Sequence, residues 1–308
     1  MLPERARVDD MAYDECVKRV VETWPLAYGK CEEGRLVVNV KLEEHSKLTA
    51  SIMKRLVETR FSPSVIRNIL PEVFRRVDPV DFAYTIGLLH DVGKASTYYL
   101  ERYVNALLEG SREELVEKLS FPYHEVVLAL IMLHATEARG AELNETSLAA
   151  IDLGAKAMSR HHSAMPDRHP LECDLRSCKT SRDLREALKN MCKSEVVNLV
   201  DRLKDSCNDL ELCSEVLSVL EAHLRDVKNC LELSRSFSIP FNKLVEFRSV
   251  SGMPRPDALA VYKLVVVYTG ALIVADNIAA FREGRESDER GTPLFVKHWV
   301  RELSGVLD

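Results

Sequence analysis

Histidine and aspartate residues occur in this sequence at positions where they could bind a metal ion. The clearest case is the run Leu88-Leu89-His90-Asp91-Val92-Gly93-Lys94, in which an apolar segment ends in adjacent His and Asp. A neutral imidazole and a carboxylate together suit a borderline divalent metal. Gly93, two residues after Asp91, permits a change of direction. The run therefore indicates a metal-binding helix end, although a His-Asp doublet on its own occurs by chance in many proteins.

Other residues of the same types lie at the ends or on the apolar faces of separate predicted helices. Asp276 falls within an apolar run, where a carboxylate is costly unless it is paired or binds metal. Each of these residues also has an alternative without a metal. The alternatives are a satisfied helix C-terminus for His90-Asp91, local hydrogen bonding for His45, a solvated helix end for His124, His161 and His162, and an Arg or Lys partner for Asp276. Taken together, the pattern predicts one metal site built from several helices. Its predicted ligands are His45, His90, Asp91, His124, His161, His162 and Asp276.

The remaining histidines are interpreted as packing residues. His134 follows His124 by ten residues, which places it about 80° away around the same helix. His169, His223 and His298 receive the same interpretation.

The elements that must position these residues are mostly helical. Apolar residues recur with a period of 3.6 in five segments, approximately 42–58, 81–90, 123–134, 147–161 and 256–281. One convincing strand, Arg35 to Val40, follows the turn-like Glu32-Glu33-Gly34 and predicts a small N-terminal hairpin. No alternation of strands and helices follows it. The predicted fold class is all-α with a minor β element.

A single domain over residues 1–308 is expected, with a helical insertion or subdomain at about 165–242. That stretch contains six of the eight cysteines. The spacing of His169, Cys173 and Cys178 fits no closed zinc motif well, so disulfides are the favoured interpretation. Their pairing cannot be read from the sequence. The cysteines concerned are Cys173, Cys178, Cys192, Cys207, Cys213 and Cys230.

Composition limits the classes of partner. The formal net charge is -6, whereas a protein that grips duplex DNA through its phosphates usually has a basic surface. A nucleic-acid substrate would therefore have to be delivered by something else. The sequence contains no glutamine and is rich in Glu, Arg and Lys, a pattern typical of hyperthermophiles.

No membrane association is expected. The richest apolar run, residues 258–280, is interrupted by Tyr262, Lys263, Asp276 and Asn277, so we judge no segment long and apolar enough to span a bilayer. The N-terminus is charged and lacks the apolar segment of a signal peptide. A cytoplasmic location is the expectation.

The order His45, His90-Asp91, His124, His161-His162, Asp276 resembles the HD superfamily of metal-dependent phosphohydrolases. More narrowly, it resembles the HD nuclease component of type I CRISPR interference systems. The resemblance extends from Trp24-Pro25 to the Ala275-Asp276 helix and is poor between 165 and 242. It implies an HD-domain helical bundle that cleaves single-stranded DNA, as an endonuclease or exonuclease, in antiviral defence.

The resemblance also implies a role for each ligand. His90, Asp91 and Asp276 would hold a first metal ion, with His45 contributing or close by. Asp91 would bridge to a second ion held by His124, His161 and His162. Nitrogen and oxygen ligands are compatible with Mn, Fe, Co, Ni and, less well, Mg. Asp91 and Lys94 would be the catalytic residues, with Lys94 stabilising charge on the phosphate.

In full-length relatives a helicase follows the HD domain, but this chain ends at Asp308 without room for one. The expected partners are therefore single-stranded DNA, a separate helicase and an RNA-guided surveillance complex. Gly93-Lys94-Ala95 is not a P-loop, because five residues separate Gly87 from Gly93 and Ala95 follows the lysine. Two alternatives stay open at this point. One is an HD enzyme hydrolysing small nucleotides or dNTPs, and the other is a helical scaffold that binds metal only for structure.

Overall fold

The computed structural model describes residues 15–32, 35–108, 120–140, 143–162, 179–253 and 255–284. Within these ranges the chain is mostly helical, and the strands form one two-stranded antiparallel sheet near the N-terminus. The predicted fold class, all-α with a small N-terminal hairpin, is confirmed.

The elements follow one another in a simple order. Helix α1 covers residues 15–23, and the hairpin and the site-bearing helices come next. These are β1 Leu26–Glu32, β2 Arg35–Lys41, α2 Leu42–Thr59, α3 Pro63–Ile69, α4 Pro71–Phe74, α5 Pro79–Leu89, a 3-10 turn Val92–Ala95, α6 Thr97–Leu108, α7 His124–Arg139 and α8 Glu145–Met158. The later helices are α9 Lys179–Lys189, α10 Ser194–Lys204, α11 Glu211–Leu224, α12 Val227–Ser236, α13 Ser238–Val245 and α14 Ala258–Arg282.

The five helices predicted from periodicity correspond to α2, α5, α7, α8 and α14. Their ends differ from prediction where capping residues decide them. Helix α5 begins earlier than expected because Asp78 accepts a hydrogen bond from the backbone N–H of Val80 at 2.6 Å, with Pro79 in the first turn. At the start of α8, the Asn144 side chain accepts from the N–H groups of Thr146 and Ser147.

Helices α2, α5, α8 and α14 pack around one another, and α7 lies against α8. Gly87 allows a close approach between α5 and α2. A Cβ atom at position 87 would lie 2.7 Å from the Cα atom of Ala50, a distance that real side chains do not tolerate. Because α2 carries His45 and α5 leads into His90-Asp91, this contact also sets the spacing between predicted ligands.

The cysteine-rich stretch contributes α9 to α12, which pack on α5, α6 and α7 and on one another. Disulfides join Cys192 to Cys230 and Cys207 to Cys213. A further disulfide, which was not predicted from the sequence, joins Cys16 to Cys31. The boundaries of the insertion stay a prediction. His169, Cys173, Cys178 and His298 lie outside the described residues.

Helix α14 is long and apolar enough to cross a membrane when judged by length and composition alone. This finding corrects the expectation that no segment would meet that test, because the polar residues within the helix are too few to fail it. One side of α14 is nevertheless buried in the core, through residues such as Val261, Leu264 and Leu272. The core helix of a soluble protein passes the same test, so the finding is weak evidence for a membrane span.

Candidate metal centre

The seven predicted ligands, which lie far apart in the sequence, come together at one place. His45 lies in the first turns of α2, and Asp276 lies in α14. His90 and Asp91 follow α5, His124 begins α7, and the pair His161-His162 follows α8. Their side chains form two groups in which the ligand atoms lie within 4.8 Å of one another. One group is His45, His90, Asp91 and Asp276, and the other is Asp91, His124, His161 and His162.

Asp91 belongs to both groups because its two carboxylate oxygens face different neighbours. Oδ1 lies 2.9 Å from His124 Nε2 and 3.7 Å from His161 Nε2. Oδ2 lies 3.4 Å from both His45 Nε2 and His90 Nε2. Asp91 itself has φ -106° and ψ -1°, in the sparsely populated bridge region where active-site residues are often found. This backbone turns the carboxylate between the two sets of imidazoles.

Lys94 lies on the same side of Asp91 as the first group. Its Nζ atom is 2.6 Å from Asp91 Oδ2 and 3.5 Å from the carbonyl oxygen of Ala27 in β1. The lysine side chain is buried, with 9% of its surface exposed, and its charge lies over the ring of Phe121. The structure therefore places the predicted catalytic lysine in direct contact with the central carboxylate.

Three of the histidines are oriented in the same way by the backbone. In each case Nδ1 donates to the carbonyl oxygen three residues earlier: His90 to Gly87 at 2.7 Å, His124 to Phe121 at 2.6 Å and His161 to Met158 at 2.7 Å. A carbonyl oxygen can only accept, so the hydrogen of the neutral ring lies on Nδ1. In the neutral form of each ring, Nε2 then presents its lone pair toward Asp91.

These Nε2 atoms test whether a metal ion fits the site. Among the described residues, the buried Nε2 atoms of His90 and His161 have no hydrogen-bond partner. Buried polar atoms are nearly always satisfied, and an unsatisfied one needs an explanation. A divalent cation held by imidazole nitrogens and carboxylate oxygens would satisfy both atoms. The donor set therefore fits a divalent metal ion.

Two ligands of the centre are partly exposed to solvent. His45, His90, Asp91, His124 and His161 are buried. Asp276 and His162 are only partly buried, and the side chain of Asp276 is 19% exposed. His162 Nε2 lies 3.3 Å from His124 Nε2. A substrate could therefore reach the cluster past these two residues.

A family model described as "Cas3, HD domain" matches residues 28–281, which include all seven predicted ligands and Lys94. The chain belongs to this family. Membership implies a metal-dependent HD nuclease of CRISPR systems. Neither a curated protein nor a solved structure was found to match the chain.

The charges of this Cas3 HD domain are arranged to keep its carboxylates ionised. Burial raises the pKa of Asp91, but the positive charges of His90 and Lys94 outweigh it and hold that pKa well below the usual value. Burial lowers the pKa of His90, but the nearby charges of Asp91 and Asp276 raise it to about 9. Burial lowers the pKa of both His124 and His162. The second group is thus rich in neutral imidazole, the form that binds metal.

Gly93 is needed for a different reason from the one the sequence analysis gave. A Cβ atom at position 93 would lie 2.0 Å from the carbonyl oxygen of His124. The glycine thus permits close approach of the 3-10 turn to the start of α7, which brings Asp91 within reach of His124. Tyr123, just before that helix, has a left-handed backbone with φ 62°, which is uncommon for a residue with a side chain.

One carboxylate beside the site was missed from the sequence. Glu283, just after α14, lies 3.0 Å from His45 Nδ1 through Oε2. Its position seven residues after Asp276, two helical turns away, was the only available signal. His134 and His223, which were interpreted as packing residues, contact each other elsewhere, between α7 and α11.

Proposed function

We propose that this Cas3 HD domain cleaves phosphodiester bonds of single-stranded DNA at a centre that binds two divalent ions. In CRISPR interference it would act beside a separate helicase and an RNA-guided complex. The observation that carries the proposal is the position of Asp91, whose two oxygens face separate groups of histidine nitrogens. A carboxylate so placed can bridge two cations.

The ligands divide between the two ions as the two groups do. His45, His90, Asp91 and Asp276 would hold one ion, and Asp91, His124, His161 and His162 the other. When bound, such ions supply Lewis-acid stabilisation of the phosphodiester and lower the pKa of water. Lys94 neutralises part of the charge on Asp91 and holds its Oδ2 in place. We assign it the further role of offsetting negative charge on the substrate phosphate.

Two features support a strand delivered by a partner. Asp276 and His162 are partly exposed while the other ligands are buried, so a substrate would reach the centre past these two residues, and a flexible strand suits it better than a rigid duplex. The net charge of -6 leaves the chain few means of gripping duplex DNA by itself, since duplex binding depends on neutralising phosphates. A helicase would supply the unpaired strand and consume the ATP.

The test uses metal-stripped protein and a panel of Mn²⁺, Fe²⁺, Co²⁺, Ni²⁺ and Mg²⁺. Each ion is combined with a single-stranded oligonucleotide, the matched blunt duplex, or dNTPs, with and without ATP. We expect metal-dependent cleavage of the single strand, little cleavage of the duplex and no effect of ATP. Efficient duplex cleavage, or stimulation by ATP without a partner, would contradict the proposal. Rapid dNTP hydrolysis with inert DNA would replace it with a small-nucleotide activity.

A matched pair of variants ties the activity to this centre. Asp91→Asn keeps the shape of the side chain but removes the charge that would bridge the ions. Asp209→Asn makes the same change at an exposed position far from the cluster in sequence. We expect the first variant to be inactive and the second to retain full activity. Equal activity in both would place the reaction elsewhere.

A further inference from the structure

His45 differs from the other buried histidines of the centre in what holds its Nδ1 atom. His90, His124 and His161 donate to backbone carbonyls of their own segments. The Nδ1 of His45 instead lies 3.0 and 3.2 Å from the two carboxylate oxygens of Glu283, which is 238 residues away in the sequence. The orientation of His45 therefore depends on a side chain from another helix.

Asp276 and Glu283 hold the two nitrogens of this imidazole from the same helix. Seven residues correspond to about 700° of rotation, which is close to two full turns, so both side chains point the same way from α14. Asp276 Oδ1 lies 3.0 Å from His45 Nε2, opposite Glu283 at Nδ1. Gly284, with φ 73°, ends the helix directly afterwards, and the Glu283 N–H still bonds to the carbonyl of Ala279. The helix end thus fixes where Glu283 lies.

Helix stability does not explain a glutamate at this position. The C-terminus of a helix carries partial negative charge, so an acidic side chain there is unfavourable, whereas a basic one would be favourable. The side chain of Glu283 is also only 12% exposed, and burying a carboxylate is costly unless it is paired. Its contact with His45 offsets both costs. A role at the metal centre accounts for the residue better than a role in ending α14.

We infer that Glu283 is a positioning residue that fixes the Nδ1–H of His45 and thereby directs its Nε2 toward the first ion. A carboxylate behind a ligating imidazole fixes the orientation of the ring and makes it a stronger ligand. The inference rests on the proposed metal site. Glu283 lies beyond residues 28–281, so the family match assigns it no role.

The first experiment is a calorimetric titration of metal-stripped protein with Mn²⁺ alone. We expect wild-type protein to bind two ions, and Glu283→Ala to bind one of them about 10- to 100-fold more weakly while the other is unchanged. Glu283→Gln, whose amide oxygen still accepts from Nδ1, should lose less affinity than the alanine variant. The matched control is Glu137→Ala, which removes a surface glutamate paired with Lys243 and should bind both ions normally.

The second measurement does not depend on metal. In ¹⁵N-histidine-labelled, metal-free protein, the Nδ1–H proton of His45 should give a downfield resonance that exchanges slowly with solvent, assigned by its absence in His45→Asn. Glu283→Ala should abolish this resonance. Glu283→Gln should keep it but move it upfield, because a neutral acceptor forms a weaker hydrogen bond. If the alanine variant does not fold, an unshifted resonance in Glu283→Gln would overturn the inference.

The two measurements separate this inference from the proposed function. Wild-type protein that binds no Mn²⁺ would contradict the proposed function. Wild-type protein that binds two ions, with Glu283→Ala binding both at unchanged affinity, would contradict only the role of Glu283. Loss of one ion together with loss of the resonance supports both.

Discussion

Histidines lie in close contact at two places in the described part of this chain, the metal centre and the pair His134–His223. The two places differ in what the histidine nitrogens contact. Between α7 and α11, His134 Nδ1 lies 3.1 Å from His223 Nε2, and Asn229 donates to His223 Nδ1 at 3.3 Å. Both nitrogens of the His223 ring therefore form hydrogen bonds with other side chains of the chain. No carboxylate lies among these contacts.

Around Asp91 the nitrogens are arranged the other way. The Nδ1 atoms of His90, His124 and His161 donate to the backbone, and their Nε2 atoms face a carboxylate. Two of these Nε2 atoms, in His90 and His161, have no hydrogen-bond partner among the described residues. Closeness of histidines alone thus does not identify a metal site. The distinguishing feature of the metal centre is a buried imidazole nitrogen that lies beside a carboxylate and has no hydrogen-bond partner.

The largest expected effect is the loss of hydrolysis when Asp91, the carboxylate shared by the two ligand groups, is removed. Asp91→Ala removes the charge that would lie between the two proposed ions, and no neighbour can replace it, so we expect hydrolysis to fall by at least about 100-fold. Circular dichroism should show an intact fold. The matched control in the other histidine group is His134→Asn, which should keep metal-dependent activity. Activity lost equally in both variants would remove the distinction between the two groups.

The second prediction separates the two halves of the metal centre. His161→Ala and His162→Ala each remove a ligand of the second group while leaving His90 and Asp276 in place. We expect either variant to bind one ion at least about 10-fold more weakly and the other normally. Metal titration followed by elemental analysis would measure this. Two ions bound with wild-type affinity in both variants would refute the two-ion arrangement.

The third prediction concerns the backbone that joins the halves. Gly93→Ala would place a Cβ atom 2.0 Å from the carbonyl oxygen of His124, so the 3-10 turn must move away from α7. We expect a loss of about 1–3 kcal/mol of unfolding free energy and weaker binding of the second ion. Urea unfolding and metal titration would measure the two effects. Gly270→Ala is the control, because a Cβ atom there meets no other atom within 4 Å.

The sequence predicted those parts of the site that have a local signal. His90-Asp91 ends an apolar segment and Asp276 interrupts one, so residue type and context together marked them. Glu283 carried no such signal, because its partner His45 is 238 residues away. The disulfide between Cys16 and Cys31 depends equally on how the hairpin packs against α1. The need for glycine at position 93 was predicted, but its cause, contact with α7, requires the tertiary structure.

The smallest expected effect is a dependence of stability on pH that comes from the His134–His223 pair. Burial, the largest cause, and the charges of His134 and Arg139 together lower the pKa of His223 to about 4, while Asp226 acts in the opposite direction. Because Asn229 donates to Nδ1, the neutral ring carries its hydrogen on Nε2 and donates it to His134. A proton added at Nδ1 would face the Asn229 amide hydrogens, so the folded state resists protonation.

The sign of the pH dependence follows from that pKa. In the unfolded chain His223 titrates near its ordinary value of 6.5, so between pH 6.5 and about 4 the unfolded state binds more protons than the folded state. The contribution of His223 to stability is therefore complete above pH 6.5 and is lost as the pH falls toward 4. At pH 5 the loss is at most about 2 kcal/mol.

Urea unfolding of metal-free protein at pH 7.5 and pH 5 should show this loss in the wild type but not in His223→Leu. Asn229→Asp, which gives Nδ1 a carboxylate acceptor, should also reduce it. An identical pH dependence in all three proteins would mean that His223 has the same pKa in the folded and the unfolded state. The His134–His223 pair would then differ less from the metal centre than its contacts indicate.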